Sequence, residues 1–585
     1  MIEIITIPSI VVIGIMLLKS LALAGSLATS IIAAPIINST SDQSTLVSTQ
    51  NGTIQGKYLE GFNQDAYLGV PFAQPPLGNL RFLPPQPYNS TWDDVKTFDQ
   101  YGYACYATWG TDTANLEHSE DCLTLNIVKP HGYENQSLPV GIWIHGGGFQ
   151  DGSSTRKAYN LSYIVDNSVA IGKPFIGVSI NYRLNGFGFL TSDEVFQKGY
   201  TNVGLRDQIQ AIHWINENIE GFGGNPNHLV LWGESAGAIS IGKLLSTKYL
   251  SNDYIKGAIM ESGSNVFTNI KPGASGDNQQ DFKTLVSYFD CDKAEDYIEC
   301  LQDVDASKLQ YVFNATNGVL KKSFAFPYID GDVISKSSYE ILDSGEDFIK
   351  APILIGTSTD EGSAFSNHSL NTSQEVHDYL LQQFPNLNNA SISRLIEMYP
   401  IDNPDTILPN DPTYNNTPIV YPPSYGAIAA NSSCLSGDLT FLAGSKITAQ
   451  LYAKHGVPVY KYRHNIPTLE TSNQTFLGTT HYQEVVYVFD NPDHPTNPSD
   501  GSTFYPSPEA PKIANTISKL FASFISDLDP NVDQSLLKYP SPQWPDYKES
   551  TENIVFDLKG FHVEKDDIRE EQFNYIESII SQLDA

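Results

Sequence analysis

The chain has 585 residues, of which 41% are hydrophobic and 11% aromatic, and a formal net charge of −32. That composition excludes a disordered chain. The strong negative balance argues against nucleic acid and anionic membrane surfaces as partners, and it is neutral towards an uncharged small molecule.

An apolar run from Ile4 to Leu18 opens the chain, breaks at Lys19 and resumes through Ala24. Ala22-Leu23-Ala24 has the small residues of a cleavage site, although Glu3 stands where a basic residue is usual. Residues 1–34 therefore read as a secretory signal, and residues 35–585 as a single domain. An uncleaved anchor is the alternative, because Ile31-Ile32-Ala33-Ala34 prolongs the apolar stretch. Secretion agrees with the N-x-S/T triplets at Asn89, Asn135, Asn160, Asn314, Asn371 and Asn473, which offer sites for N-glycans. In an oxidising compartment the cysteines suggest two local bridges between nearest neighbours, Cys105 with Cys122 and Cys291 with Cys300. Cys434 is then a buried small apolar residue.

Thr45 to Asp65 alternates apolar and polar residues around Asn51-Gly52 and predicts an antiparallel hairpin. Tyr67 to Phe82 holds three prolines and two glycines and reads as an ordered loop. Leu123 to Val128 and Val140 to Ile144 are strands. The second runs into His145-Gly146-Gly147-Gly148-Phe149, a glycine loop that can bring bare backbone N–H groups against a developing alkoxide. Phe175 to Tyr182 is a further strand. Gly204 to Ile219 has apolar residues at helical spacing, stopped by Gly221-Phe222-Gly223-Gly224-Asn225-Pro226.

Leu229 to Trp232 is an apolar strand ending at Gly233-Glu234-Ser235-Ala236-Gly237, with a helix-compatible run of small residues behind it. This is a G-x-S-x-G elbow in the context it needs: strand, tight turn, helix. Ile255 to Met260 and Ala351 to Gly356 are buried strands, and the second leads to Asp360-Glu361-Gly362. Carboxylates at the C-terminal end of a strand lie where active sites of parallel sheets sit. Val457 to Tyr462 is a late strand. A loop with Gly478-Thr479-Thr480-His481 and Glu484 follows, then the apolar run Val485 to Phe489. Asn403–Tyr425 and Asn491–Pro511 look like surface insertions, and Asp567 to Ile580 like an amphipathic helix. Strands alternating with helices imply an α/β architecture: a large, mostly parallel sheet with both faces covered.

A serine nucleophile needs a base and a group that orients the base. Ser235, then Glu361 or Asp360, then His481 supply these in the chain order Ser, acid, His. His481 and Glu484 have H-x-x-E spacing, but no third and fourth metal ligands lie nearby.

Together these motifs resemble the type-B carboxylesterase family, which includes cholinesterases and secreted fungal lipases. The match runs roughly from Leu46 to Ile576 through Arg81-Phe82, Glu120-Asp121-Cys122-Leu123, Gly146-Gly147-Gly148-Phe149, Asn181-Tyr182-Arg183, Gly204-Leu205-Arg206-Asp207-Gln208, the Ser235 elbow, Asp360-Glu361-Gly362 and Gly478-Thr479-Thr480-His481. The resemblance implies an α/β-hydrolase fold and hydrolysis of a small-molecule ester, with no metal and no cofactor. It implies Ser235 as nucleophile, His481 as base, and Glu361, not Asp360, as the acid. The N–H groups of Gly147, Gly148 and Ala236 would form the oxyanion hole, and a buried Glu234 would tune His481. It also pairs Arg81 with Glu120 and Arg183 with Asp207, both structural.

Lipases of the family carry a long lid between the first two bridged cysteines. Cys105 to Cys122 is short and mostly polar, as in Thr111-Asp112-Thr113 and Glu117-His118-Ser119. Soluble, short-to-medium-chain esters are therefore expected, with a triacylglycerol lipase or a cholinesterase-like enzyme using Trp109 as alternatives. A non-catalytic adhesion or binding relative is disfavoured because Ser, Glu and His are all present.

Overall fold

Alternation along one strand shows how the molecule is layered. The computed structural model describes residues 45–583 except 109–112, 267–275, 323, 400–421, 469–476 and 493–504. In it, Leu229 and Leu231 enter one buried cluster, while their neighbours Val230 and Trp232 enter another on the opposite face. All four are fully buried. Each such side chain contributes about 1.5–3 kcal/mol relative to exposure.

The strands in chain order are β1 (Leu46–Thr49), β2 (Gly52–Gln55), β3 (Lys57–Leu59), β4 (Gln64–Pro71), β5 (Lys96–Thr97), β6 (Thr124–Pro130) and β7 (Leu138–Ile144). They continue with β8 (Ile176–Ile180), β9 (Gly224–Glu234), β10 (Ile255–Glu261), β11 (Ile353–Ser358), β12 (Val459–Asn465), β13 (Glu552–Asp557) and β14 (His562–Lys565). β1 and β2 form the expected hairpin, with Thr49 opposite Gly52, and β5 joins them in a small sheet. Among the described residues the main sheet has 11 strands in the order β14-β13-β12-β11-β10-β9-β7-β8-β6-β4-β3. From β13 to β8 neighbouring strands are parallel. β14 is antiparallel at one edge, and β6, β4 and β3 are antiparallel at the other.

Helices cover both faces, as the alternation of strand and helix predicts. Val203–Asn218 contributes Leu205, Ile209, Ile212 and Ile215 to the Leu229 face, and Ala236–Leu244 adds Ala238 and Ile241. Ser162–Ala170 and Ala510–Asp527 pack Ile164, Val165, Ile513, Phe521 and Phe524 on the Trp232 face.

Two sequence expectations need correction. Tyr67 to Pro71 is not loop but the end of β4, flanked by β3 and β6. Gly69, at φ 74°, takes up the irregular register there, so glycine served a strand and not a turn. The C-terminal helix is limited to Glu570–Ser578, and the apolar run Val485–Phe489, to which the sequence assigned no element, is a short helix. Residues 1–34, Asn473, nearly all of Asn403–Tyr425 and much of Asn491–Pro511 lie outside the described residues, as do Trp109, Thr111 and Asp112.

Candidate active site

β9 delivers Ser235 through a turn that few side chains tolerate. Ser235 has φ 54° and ψ −123°, a conformation costing about 1–3 kcal/mol for a residue with a Cβ. The turn closes because its neighbours have none. A Cβ on Gly233 would lie 2.6 Å from the Ile144 carbonyl oxygen, and one on Gly237 would overlap the same atom. Ala236 begins the helix Ala236–Leu244, so Ser235 stands at a helix N-terminus where backbone N–H groups are unspent.

β11 delivers Glu361, the expected acid. Glu361 opens a 3₁₀ turn, Glu361–Ala364, and is fully buried. Its Oε1 accepts from the Ser358 backbone N–H at 2.7 Å and from Ser262 Oγ at 2.6 Å. Its Oε2 lies 2.5 Å from His481 Nδ1. Asp360 faces elsewhere: it accepts from the Thr479 N–H at 2.8 Å and donates its own N–H to the Thr479 carbonyl at 2.9 Å. It therefore clamps the loop that carries His481.

His481 Nε2 lies 3.1 Å from Glu234 Oε1. Among the described residues no hydrogen bond joins Nε2 to Ser235 Oγ, although both residues line one cavity. Phe441 and Phe365 flank the imidazole, with ring centroids 4.6 and 4.9 Å away. Burial works against the imidazolium, but Glu234 and Glu361 outweigh it and push His481 up to about 9. Burial pushes Glu234 up to about 8, with His481 opposing. The two interact closely, so their protons leave in steps that belong to the pair.

Two further carboxyls complete the cluster, and motif reading assigned neither to the site. Ser262 Oγ also meets Glu484 Oε1, at 2.7 Å. One hydroxyl carries one proton, so Ser262 can serve both carboxyls only if Glu484 is itself protonated and donates to it. Burial, reinforced by Glu361, pushes Glu484 up to about 7, which allows this. Glu261 ends β10 opposite Glu234 and accepts from Trp232 Nε1. Burial, reinforced by the neighbouring carboxyls of Glu484 and Glu234, holds it well above the usual carboxylate range. The only sequence signal was position, since Glu261 and Ser262 close a buried strand.

The glycine loop after β7 is held from below. Tyr182 Oη donates to the His145 carbonyl at 2.9 Å, and the two rings stack 4.5 Å apart. Gly147 and Gly148 take φ 106° and 60°, which suits glycine. They line a cavity of about 480 Å³ together with Ser235, Ala236 and His481. Ile239, Phe326, Leu380, Phe384 and Leu439 give that cavity apolar walls.

A nucleophile, an imidazole backed by a carboxylate, and a bare backbone loop in one cavity suit acyl transfer. A model of the carboxylesterase family matches residues 43–576. The chain belongs to the carboxylesterase family. It is 32% identical to "Lipase 5" of Diutina rugosa, over 95% of this chain and 98% of that one. It is 30% identical to "Secreted lipase 1" of Botryotinia fuckeliana, over 93% of each. The crystal structure of Aspergillus niger EstA superposes with a TM-score of 0.78 at 27% identity, over 93% of this chain and 99% of that one. This member of the carboxylesterase family is accordingly a carboxylic ester hydrolase with a small-molecule ester substrate and an α/β-hydrolase fold.

Structural pairs implied by the carboxylesterase resemblance are in place. Arg81 Nε and Nη2 meet Glu120 at 2.6 and 2.7 Å, and Arg183 Nε and Nη2 meet Asp207 at 2.8 and 2.7 Å. Cys105 is bonded to Cys122 and Cys291 to Cys300. Cys434 is half-buried and not disulfide-bonded.

Proposed function

We propose that this chain is a secreted serine ester hydrolase that works through an acyl-enzyme. Ser235 Oγ attacks the ester carbonyl while His481 Nε2 takes its proton. Glu361 holds the imidazole through Nδ1 and stabilises its charge. The N–H groups of Gly147, Gly148 and Ala236 receive the oxyanion, each worth about 2.7–4 kcal/mol when such a donor is lost. The tetrahedral intermediate collapses, the C–O bond breaks, and His481 returns its proton to the departing alcohol. Water then attacks the acyl group, giving its proton to His481, and the acid leaves with Ser235 restored. The observation that carries this reading is the 2.5 Å approach of His481 Nδ1 to Glu361, in the cavity that also holds Ser235. A serine–histidine bond that tightens only with substrate is usual for such sites.

A fluorophosphonate probe is expected to label Ser235 in the folded protein, and Ser235→Ala to abolish labelling and lower kcat by at least about 10⁴-fold. Unlabelled, folded wild-type protein would support a binding module instead. Secretion draws support from the secreted relative, and among the described residues no helix is long and apolar enough to cross a membrane.

We read the preferred substrates as soluble, short-to-medium-chain esters, because the Cys105–Cys122 loop is short and the cavity takes an apolar group of limited size. One observation favours a lipase: Phe365 and Phe326 line the cavity yet are 47% and 36% exposed, an apolar rim that suits a lipid surface. Rates for a butyrate ester measured below and above its solubility limit separate the two. A smooth curve supports the esterase, and a jump at the limit the lipase.

A further inference from the structure

The helix that walls the cavity is irregular where it meets the catalytic histidine. Ala429–Gly437 and Ala443–Lys454 are α-helical, and Asp438–Leu442 between them is a π-turn. Such turns insert a residue and redirect the side chains around it. Here the redirected residues include Leu439, Thr440 and Phe441, all on the cavity wall. Phe441 is 5% exposed, and its ring lies 4.6 Å from the His481 ring at an angle of 31°. Phe365 meets the imidazole from another side but is half exposed. Phe441 is the fixed member of the pair.

The π-turn is anchored from outside the cavity. Asp438 is fully buried, takes Arg569 Nε and Nη2 at 2.7 Å each, and accepts from Tyr399 Oη at 2.6 Å. One turn earlier the helix backbone presses on the residue after the acid, since a side chain at Gly362 would collide with Ser433 and Gly437. One helix thus touches the turn that holds Glu361 and the ring of His481.

We propose that Phe441 is a positioning residue for His481, and that the anchored π-turn sets its ring against the imidazole so that Nδ1 stays on Glu361 and Nε2 stays in the cavity. This rests on the reading of His481 as the base. The ring does two jobs: it removes the free rotation that would carry Nε2 off line, and it offers an aromatic face to the imidazolium formed during turnover.

p-Nitrophenyl acetate separates this from a mere wall, because its acetyl group leaves most of the cavity empty. With that ester, Phe441→Leu is expected to lower kcat about tenfold and leave KM within about twofold. The acid limb of kcat/KM should move about half a unit to lower pH, because the imidazolium loses a stabilising face. Phe441→Tyr, which keeps the ring, should retain both. Asp438→Asn touches neither ester nor imidazole; it should shift kcat and the limb in the same direction, by less, and serves if the leucine variant does not fold. The proposal is overturned if folded Phe441→Leu keeps kcat and pH profile, if only KM changes, if the tyrosine variant falls as far as the leucine one, or if folded Asp438→Asn matches wild type. Failure of wild-type protein to hydrolyse the ester at all would instead overturn the serine-hydrolase reading.

Discussion

Glu234 bears most directly on the proposed base, because its carboxyl lies 3.1 Å from His481 Nε2. With Glu361 it holds the imidazolium stable against burial. Removing that charge while keeping the shape, as in Glu234→Gln, should lower the pKa of His481. The proposed mechanism needs the neutral ring, so the acid limb of kcat/KM should move about one unit to lower pH in a pH–rate measurement. An unmoved limb would mean that Glu234 is already neutral in the working enzyme. The proposed triad of Ser235, Glu361 and His481 was legible because each residue sits in a local pattern a few residues long. Choosing Glu361 over Asp360 needed the family resemblance, since adjacent carboxyls have no distinguishing spacing. Ser262, Glu261 and Phe441 were not legible as site residues: their partners come from strands and loops far along the chain.

At the scale of elements, the junction of β9 and its helix is the least forgiving point. Gly237 is packed so closely on the Ile144 carbonyl that a methyl group there must push β7 and the helix apart. Gly237→Ala should cost about 1–3 kcal/mol in denaturant unfolding and reduce turnover more than stability alone explains. Unchanged stability would show that the junction can give. The sequence made this element plain because strand, turn and helix are contiguous there. β13, β14 and the helix Ala510–Asp527 went unread: the first two close the sheet through long-range pairing, and nothing near them in sequence announces it. The β4 error has the same origin, for a proline and glycine count cannot reveal two flanking strands.

Over the whole molecule, buried groups should make stability depend on pH in a definite direction. Glu234 and Glu484 are raised from 4.5 to about 8 and about 7, and His481 from 6.5 to about 9. Each keeps its proton in the fold after the unfolded chain has lost it, so each contributes stability at low pH that is lost as pH rises. Lys243, buried without a carboxylate and lowered from 10.5 to about 7, acts oppositely, but only above pH 7. His145 and His464, lowered by burial from 6.5 to about 4 and about 3, also act oppositely, but only below about pH 6.5. Between pH 6.5 and 8 Glu234 and His481 act together and outnumber Lys243, and growing negative charge on a −32 chain adds to them. The thermal midpoint should therefore fall from pH 6.5 to pH 8; a rise would mean that the carboxyl cluster is ionised in the fold. The sharp bend at Ser235 has a consequence for every cycle of the enzyme. Its cost is met once, as the protein folds, and in the proposed cycle acylation and deacylation begin and end in that same bent state. No turnover has to rebuild it, so the attacking oxygen is ready before each new ester arrives.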